Sequence, residues 1–286
     1  MKQIALACMV CGIAISCRSD KAPPSSSNAA ADSLGAISVA VDSVLTTRVS
    51  AGSITAPRAV NAGWRKFTVE RADSANHILV AFQLDPELST AKFVALLDSL
   101  PGTPAGAVGL GGPEGRATDE VLVRFPAGRV VVACVSRGED GHRHASKGEL
   151  AEVEVRPAVV TSITDSTPPD STVFDIPMSD FAFTGPDRIP ASTRHLRVRN
   201  RGQQAHQLRI ARLKSGNTLA DWMKNPEAAS ETTADFGMAR LGPLREAYVA
   251  LTLQKGDYVF YCLVTDPKSK MQHVELGMLK NISVIP

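Results

Sequence analysis

The second half of this 286-residue chain repeats the pattern of its first half at an offset of 128 to 129 residues. Phe67 and Val69 correspond to Leu196 and Val198, His77 to His206, and Phe93 and Val94 to Trp222 and Met223. Val121, Val123 and Phe125 correspond to Val249, Leu251 and Leu253, Gly128 to Gly256, and Cys134 to Cys262. His144 then corresponds to His273, and Val153 and Val155 to Ile282 and Val284. Few identities survive, but the pattern and the rarer residue types keep register with a single one-residue slip, which marks a duplication. Whatever unit the chain folds into, it folds into twice. The polar stretch 161–172 (TSITDSTPPDST) separates the copies as a linker. That leaves domains at 35–160 and 173–286, each of ordinary domain size.

Within each copy the apolar spacing is mostly two. Val121-x-Val123-x-Phe125, Val249-x-Leu251-x-Leu253 and Ile282-x-Val284 are examples. Short alternating runs broken by Gly, Pro and Asn predict an all-β fold of two tandem antiparallel sandwiches. One stretch per copy has helical spacing instead. Phe93, Leu96, Leu97 and Leu100 follow a candidate cap at Ser89, and Leu219, Trp222 and Met223 follow Asn217. Each sandwich is therefore expected to carry one short inserted helix, sealing its end. The Gly-rich segment 109–115 (GLGGPEG) lacks dinucleotide-binding spacing and reads as a surface loop.

The N-terminus reads as an export signal over 1–16, with Lys2 ahead of an apolar or small run from Ile4 to Ile15. That run is shorter than the roughly 20 residues that span a bilayer. Ala14-Ile15-Ser16-Cys17 resembles the lipobox of bacterial lipoproteins, which implies cleavage before Cys17, its acylation, and an extracytoplasmic protein anchored to a membrane through that lipid. Arg18 resembles the signal for transfer to an outer membrane where the source has one. Residues 17–34, rich in Pro, Ser and Ala, are expected to form a disordered tether. Lys and Arg number 31 against 29 Asp and Glu, so no large positive field favours nucleic acid. Cys8 and Cys11 lie in the segment that is removed and Cys17 takes the lipid, so the mature chain keeps only Cys134 and Cys262. Two lone thiols in a compartment where disulfides are the usual use of Cys need a reason.

In the second copy, His206 opens one strand and Cys262 ends another. A ten-residue loop leads to His273, and Met278 follows five positions later. Singly, a His at a strand start, a Cys at a strand end or a buried Met is ordinarily structural. The order His…Cys-x(n)-His-x4-Met resembles the cupredoxins, or blue copper proteins. The resemblance implies a Greek-key β-sandwich in which His206, Cys262, His273 and Met278 ligate one copper, with a redox protein as partner. A thiolate and two neutral imidazoles suit both Cu(I) and Cu(II), and a long axial sulfur holds the geometry between their preferences.

In the first copy, His77, Cys134 and His144 stand at the matching positions, with Glu149 where the second has Met278. A carboxylate there favours an oxidised copper ion or a different metal such as zinc. His142 offers an alternative imidazole, and a degenerate copy with Glu149 solvated at the surface is the bland alternative. The family's enzymes place a His directly before the Cys to link a second copper centre. Here those residues are Ala133 and Tyr261, so catalysis is not expected. The expected function is electron transfer or copper handling. The alternative is a metal-free scaffold or binding module that kept only the fold.

Overall fold

The computed structural model describes residues 44–115, 118, 120–158 and 173–286, without the side chains of 232–235. The expected signal, tether, lipidated Cys17 and linker 161–172 fall outside the described residues. The first copy contains β1 (Val44–Ser50), β2 (Ser53–Thr55), β3 (Ala59–Asn61), β4 (Gly63–Arg71), β5 (Leu79–Leu84), α1 (Thr90–Ser99), β6 (Ala107–Gly111), β7 (Glu120–Phe125), β8 (Gly128–Cys134) and β9 (Leu150–Arg156). The second contains β10 (Val173–Ser179), β11 (Ala182–Phe183), β12 (Arg188–Pro190), β13 (His195–Asn200), β14 (His206–Leu213), α2 (Leu219–Lys224), α3 (Pro226–Ala229), β15 (Ser230–Leu241), β16 (Glu246–Ala250), β17 (Gly256–Tyr261) and β18 (Leu279–Ile285). Among the described residues no helix is long and apolar enough to cross a membrane.

The duplication holds at the level of backbone pairing. The parallel pair β1–β4 sets Val44 opposite Lys66, and β10–β13 sets Val173 opposite His195, both partners displaced by 129. The pairs β3–β9 and β12–β18 keep the same displacement, with Ala59 opposite Glu154 and Arg188 opposite Ser283. In the first copy alternation works as the spacing predicts, since Val121, Val123 and Phe125 turn inward while Arg124 faces water; in the second, β16 ends at Ala250, and Leu251 and Leu253 are buried beyond the strand.

The sheets do not stop at the copy boundary. One has the order β11-β10-β13-β16-β7-β4-β1-β2, the other β12-β18-β17-β14-β15-β6-β5-β8-β9-β3. At the join of the first sheet, Val121 of β7 lies opposite Val249 of β16, its own counterpart. At the join of the second, Leu110 faces Leu241 and Pro113 faces Met238. At an offset of 128 Leu110 corresponds to Met238 and Pro113 to Leu241, so the two pairs exchange with each other. A local two-fold axis therefore relates the copies, as in an isologous dimer. One core cluster takes in Leu45, Phe67 and Val130 of the first copy with Ile176, Val198 and Ile282 of the second.

Three expectations are corrected. The Gly-rich segment is not a surface loop, because it forms β6 and the crossing beside it. A Cβ at Gly112 would lie 2.0 Å from the Leu79 carbonyl oxygen, and one at Gly109 2.6 Å from that of Arg240 in the other copy. The second copy carries two helices, not one. Thr218, not Asn217, caps α2 in a reciprocal box with Asp221, and Asn225 caps α3, which begins with Pro226. Nor do the helices seal the sandwich ends. Phe93 and Leu97 of α1 pack on Val80, Phe82 and Val131, the opposite face of strands whose Leu79, Ala81 and Val130 enter the shared core. Trp222 likewise packs over Val259 on the outer face of β17. Each such buried side chain contributes about 1.5–3 kcal/mol, and Met223, 64 % exposed, adds nothing to the stripe.

Candidate metal centres

In the second copy the site is assembled from two places in the chain. His206 begins β14 beside a register shift in the β14–β15 pairing, a local irregularity that re-aims a side chain. Cys262 follows β17, its N–H donating to the Met278 carbonyl at 3.2 Å, while the Met278 N–H donates to that of His273 at 2.8 Å. The ten residues between Cys262 and His273 do not separate them. Thr265 bridges to Gln272, Asp266 accepts the Ser269 N–H at 2.7 Å, and the His273 N–H reaches the Val264 carbonyl at 2.8 Å.

His206, Cys262 and His273 are each fully buried, and their donor atoms lie within 4.8 Å of one another. Nδ1 of His206 is 3.0 Å from Nδ1 of His273, which is 3.5 Å from the Cys262 sulfur. Met278 is buried in the same core cluster as Cys262.

The outer partners settle the tautomers. His206 Nε2 donates to Asp180 Oδ1 at 3.0 Å. Burial opposes that carboxyl's ionisation, but the Gln203 and Gln204 amides and His206 outweigh it and hold its pKa below the usual range. His273 Nε2 donates to Gln204 Oε1 at 3.2 Å, and Gln204 is oriented by donating its own Nε2 to Asp266 at 3.0 Å. Both Nε2 atoms thus carry the proton, and both Nδ1 atoms present lone pairs to each other with no hydrogen between. Protonation does not relieve this. Burial draws His206 below its ordinary pKa despite Asp180, and burial together with the neighbouring His206 lowers His273 to about 4. Burial also pushes the Cys262 thiol up to about 12, against the Gln207 and Val264 amides. Two nitrogen lone pairs and a sulfur converge on one buried centre, a donor set that fits a metal ion.

The first copy converges on the same plan with one change. The Cys134 N–H donates to the Glu149 carbonyl at 3.0 Å, as Cys262 does to Met278. A left-handed glycine precedes each fourth residue, Gly148 at φ 100° and Gly277 at φ 99°. Glu149 Oε2 lies 2.8 Å from His77 Nδ1 and 3.2 Å from His144 Nδ1, and the Cys134 sulfur is 3.9 and 3.7 Å from the same two nitrogens. Glu149 is not solvated at the surface. It is 3 % exposed, and its Oε1 accepts the Gly52 N–H at 3.2 Å. Burial raises the Cys134 thiol to about 12. His142 stands apart, paired with Asp98 at 2.7 Å on the surface.

Asp73 and Asp180 are functional candidates that motif spacing did not single out. Asp73 Oδ1 takes His77 Nε2 at 2.8 Å, as Asp180 takes that of His206. The two are not counterparts. Position 73 corresponds to Gly202, where a Cβ would lie 2.3 Å from Asp180 Oδ1 and 2.9 Å from His206 Nε2. Each copy thus seats a carboxylate on its first histidine from a different place in the chain, and the second leaves room for it with a glycine.

No protein-family profile and no curated protein matches the chain. Similar solved structures include cupredoxins and multicopper enzymes at low identity. Reduced auracyanin from Roseiflexus castenholzii is 18 % identical over 41 % of this chain and 98 % of its own, with a TM-score of 0.28. A multicopper oxidase is 14 % identical over 84 % and 87 %, at 0.26. The copper-containing nitrite reductase of Thermus scotoductus is 15 % identical over 85 % and 61 %, at 0.22.

Proposed function

We propose that the second copy binds one copper ion through His206, Cys262 and His273, with Met278 beside them, and that the chain carries electrons or holds copper outside the cytoplasm. The observation that carries this is the pair of buried Nδ1 lone pairs 3.0 Å apart beside a buried thiol. Sulfur with two imidazoles is a soft donor set that favours copper over hard cations, and copper supplies one-electron exchange between Cu(I) and Cu(II). This chain's own residues do the rest. Asp180 and Gln204 fix the rings, and the sandwich holds the donors in place before the ion arrives. Ala14-Ile15-Ser16-Cys17 supports anchoring of the mature protein to a membrane through Cys17, facing a redox partner.

Adding Cu(II) to the metal-free Cys134→Ser protein, in which Cys262 is the remaining core thiol, is expected to give the intense visible absorption of a copper–thiolate bond, abolished by adding Cys262→Ser. A colourless protein with no bound copper would overturn the reading in favour of a metal-free scaffold. Labelled palmitate entering the expressed protein, but not its Cys17→Ala variant, tests the anchor.

A further inference from the structure

The first copy's donors differ from the second's in charge as well as in type. Cys134 as thiolate and Glu149 as carboxylate bring two negative charges to a buried centre; Cys262 brings one. A residual charge in a dry interior is costly, so each site favours the ion that neutralises it. Counting the donor atoms alone, since Asp73 and Asp180 back the two centres alike, the second is neutral with a monovalent ion and carries one extra charge with a divalent one, a balance that permits exchange. The first is neutral only with a dication.

The geometry keeps Glu149 in that role. Its Oε2 sits between the two imidazoles at 2.8 and 3.2 Å, its Oε1 is held by the Gly52 amide, and its carbonyl is tied to the Cys134 N–H. A carboxylate oxygen, one sulfur and two ring nitrogens are also the donor types of four-coordinate zinc sites, whereas Cu(I) prefers sulfur to a hard oxygen.

We infer that the first copy is a divalent-ion site, selected by Glu149 for Zn(II) or Cu(II) over Cu(I), and that its ion stays in one oxidation state while the second copy's changes. The claim rests on the copper reading of the second copy only for its contrast. The test therefore uses variants that isolate each centre.

Metal-free full-length Cys262→Ser protein is titrated anaerobically with Zn(II) and, separately, with Cu(I), each against a competing chelator, and bound metal is counted by mass spectrometry. One Zn(II) per chain is expected, bound in preference to Cu(I). Adding Glu149→Gln, which removes the charge and keeps the shape, is expected to weaken Zn(II) binding about 100-fold or more, since even an outer partner of a ligand is worth 10–100-fold. Glu149→Gln in the otherwise unaltered chain gives the same reading by stoichiometry if Cys262→Ser fails to fold. Equal Zn(II) affinity with and without Glu149→Gln, or a preference for Cu(I) in the Cys262→Ser protein, overturns the inference. The copper reading is scored separately, on the visible band of Cys134→Ser, so either claim can fail alone.

Discussion

Replacing Gly202 with alanine should damage the second centre without touching any donor. The new Cβ would lie 2.3 Å from Asp180 Oδ1, 2.9 Å from the Asp180 nitrogen and 2.9 Å from His206 Nε2. The carboxylate has no free direction of escape, because the Gln203 and Gln204 amides bind it at 3.0 to 3.1 Å. Relief therefore breaks the Asp180–His206 bond, a charge-assisted hydrogen bond of about 1.5–3 kcal/mol. At about 1.4 kcal/mol per tenfold, copper affinity should fall roughly 10- to 100-fold. Gly202 is not among the residues with positive φ, so alanine itself fits the backbone. Without the clash, Gly→Ala at such a site would stabilise by about 0.4–1 kcal/mol. The sign of the change is therefore diagnostic. Urea unfolding of the metal-free variant gives the stability, and chelator competition gives the copper affinity. A variant as stable as the parent, or more so, with unchanged copper affinity would refute the assignment of Asp180 as the group that holds the ring.

Acid should destabilise the metal-free protein through His273, whose folded-state pKa is depressed from 6.5 to about 4. The unfolded chain takes up the proton first, so stability present above pH 6.5 is lost towards pH 4, by roughly 3 kcal/mol from this group. Urea midpoints at both pH values should show His273→Asn removing that part of the slope, and an unchanged slope counts against it. With the Cys262 thiol pushed up to about 12, metal uptake must displace its proton. Copper affinity should then rise about tenfold per pH unit through the neutral range, and a pH-independent titration would contradict this. Trp222→Ala should cost about 3–5 kcal/mol, since Trp222 is 5 % exposed and its ring packs tilted against that of Tyr261, centroids 4.8 Å apart. The same variant should leave any copper–thiolate band in place; loss of the band would tie the outer face to the site.

The donors were legible because their residue types are rare here and the repeat holds them in register. His77, Cys134 and His144 against His206, Cys262 and His273 need no knowledge of packing. Asp73 and Asp180 were harder, because a hydrogen bond through space asks only that a carboxylate arrive, not from where. Asp73 sits four residues before His77 and was within reach of inspection; Asp180 lies 26 residues before His206 and was not. Helical spacing marked Phe93, Leu97 and Trp222 as buried, but periodicity says which side of a helix is covered and nothing about which surface covers it. Alternation in β7 likewise identified an inward face and could not reveal that β7 shares an edge with β16, which is buried on both faces. The role of Gly109 and Gly112 followed only once two backbones were seen to cross where they stand.

The symmetric join bears on how the chain would respond to being cut. Separated from each other after a cut between residues 158 and 173, the two halves would present naked amide and carbonyl groups along β6 and β7 or along β15 and β16. Because Val121 meets its own counterpart, the exposed edge of the first fragment is complementary to another copy of itself. Produced alone, that fragment would pair with itself in place of its missing half. Produced together, the two would compete between like and unlike association.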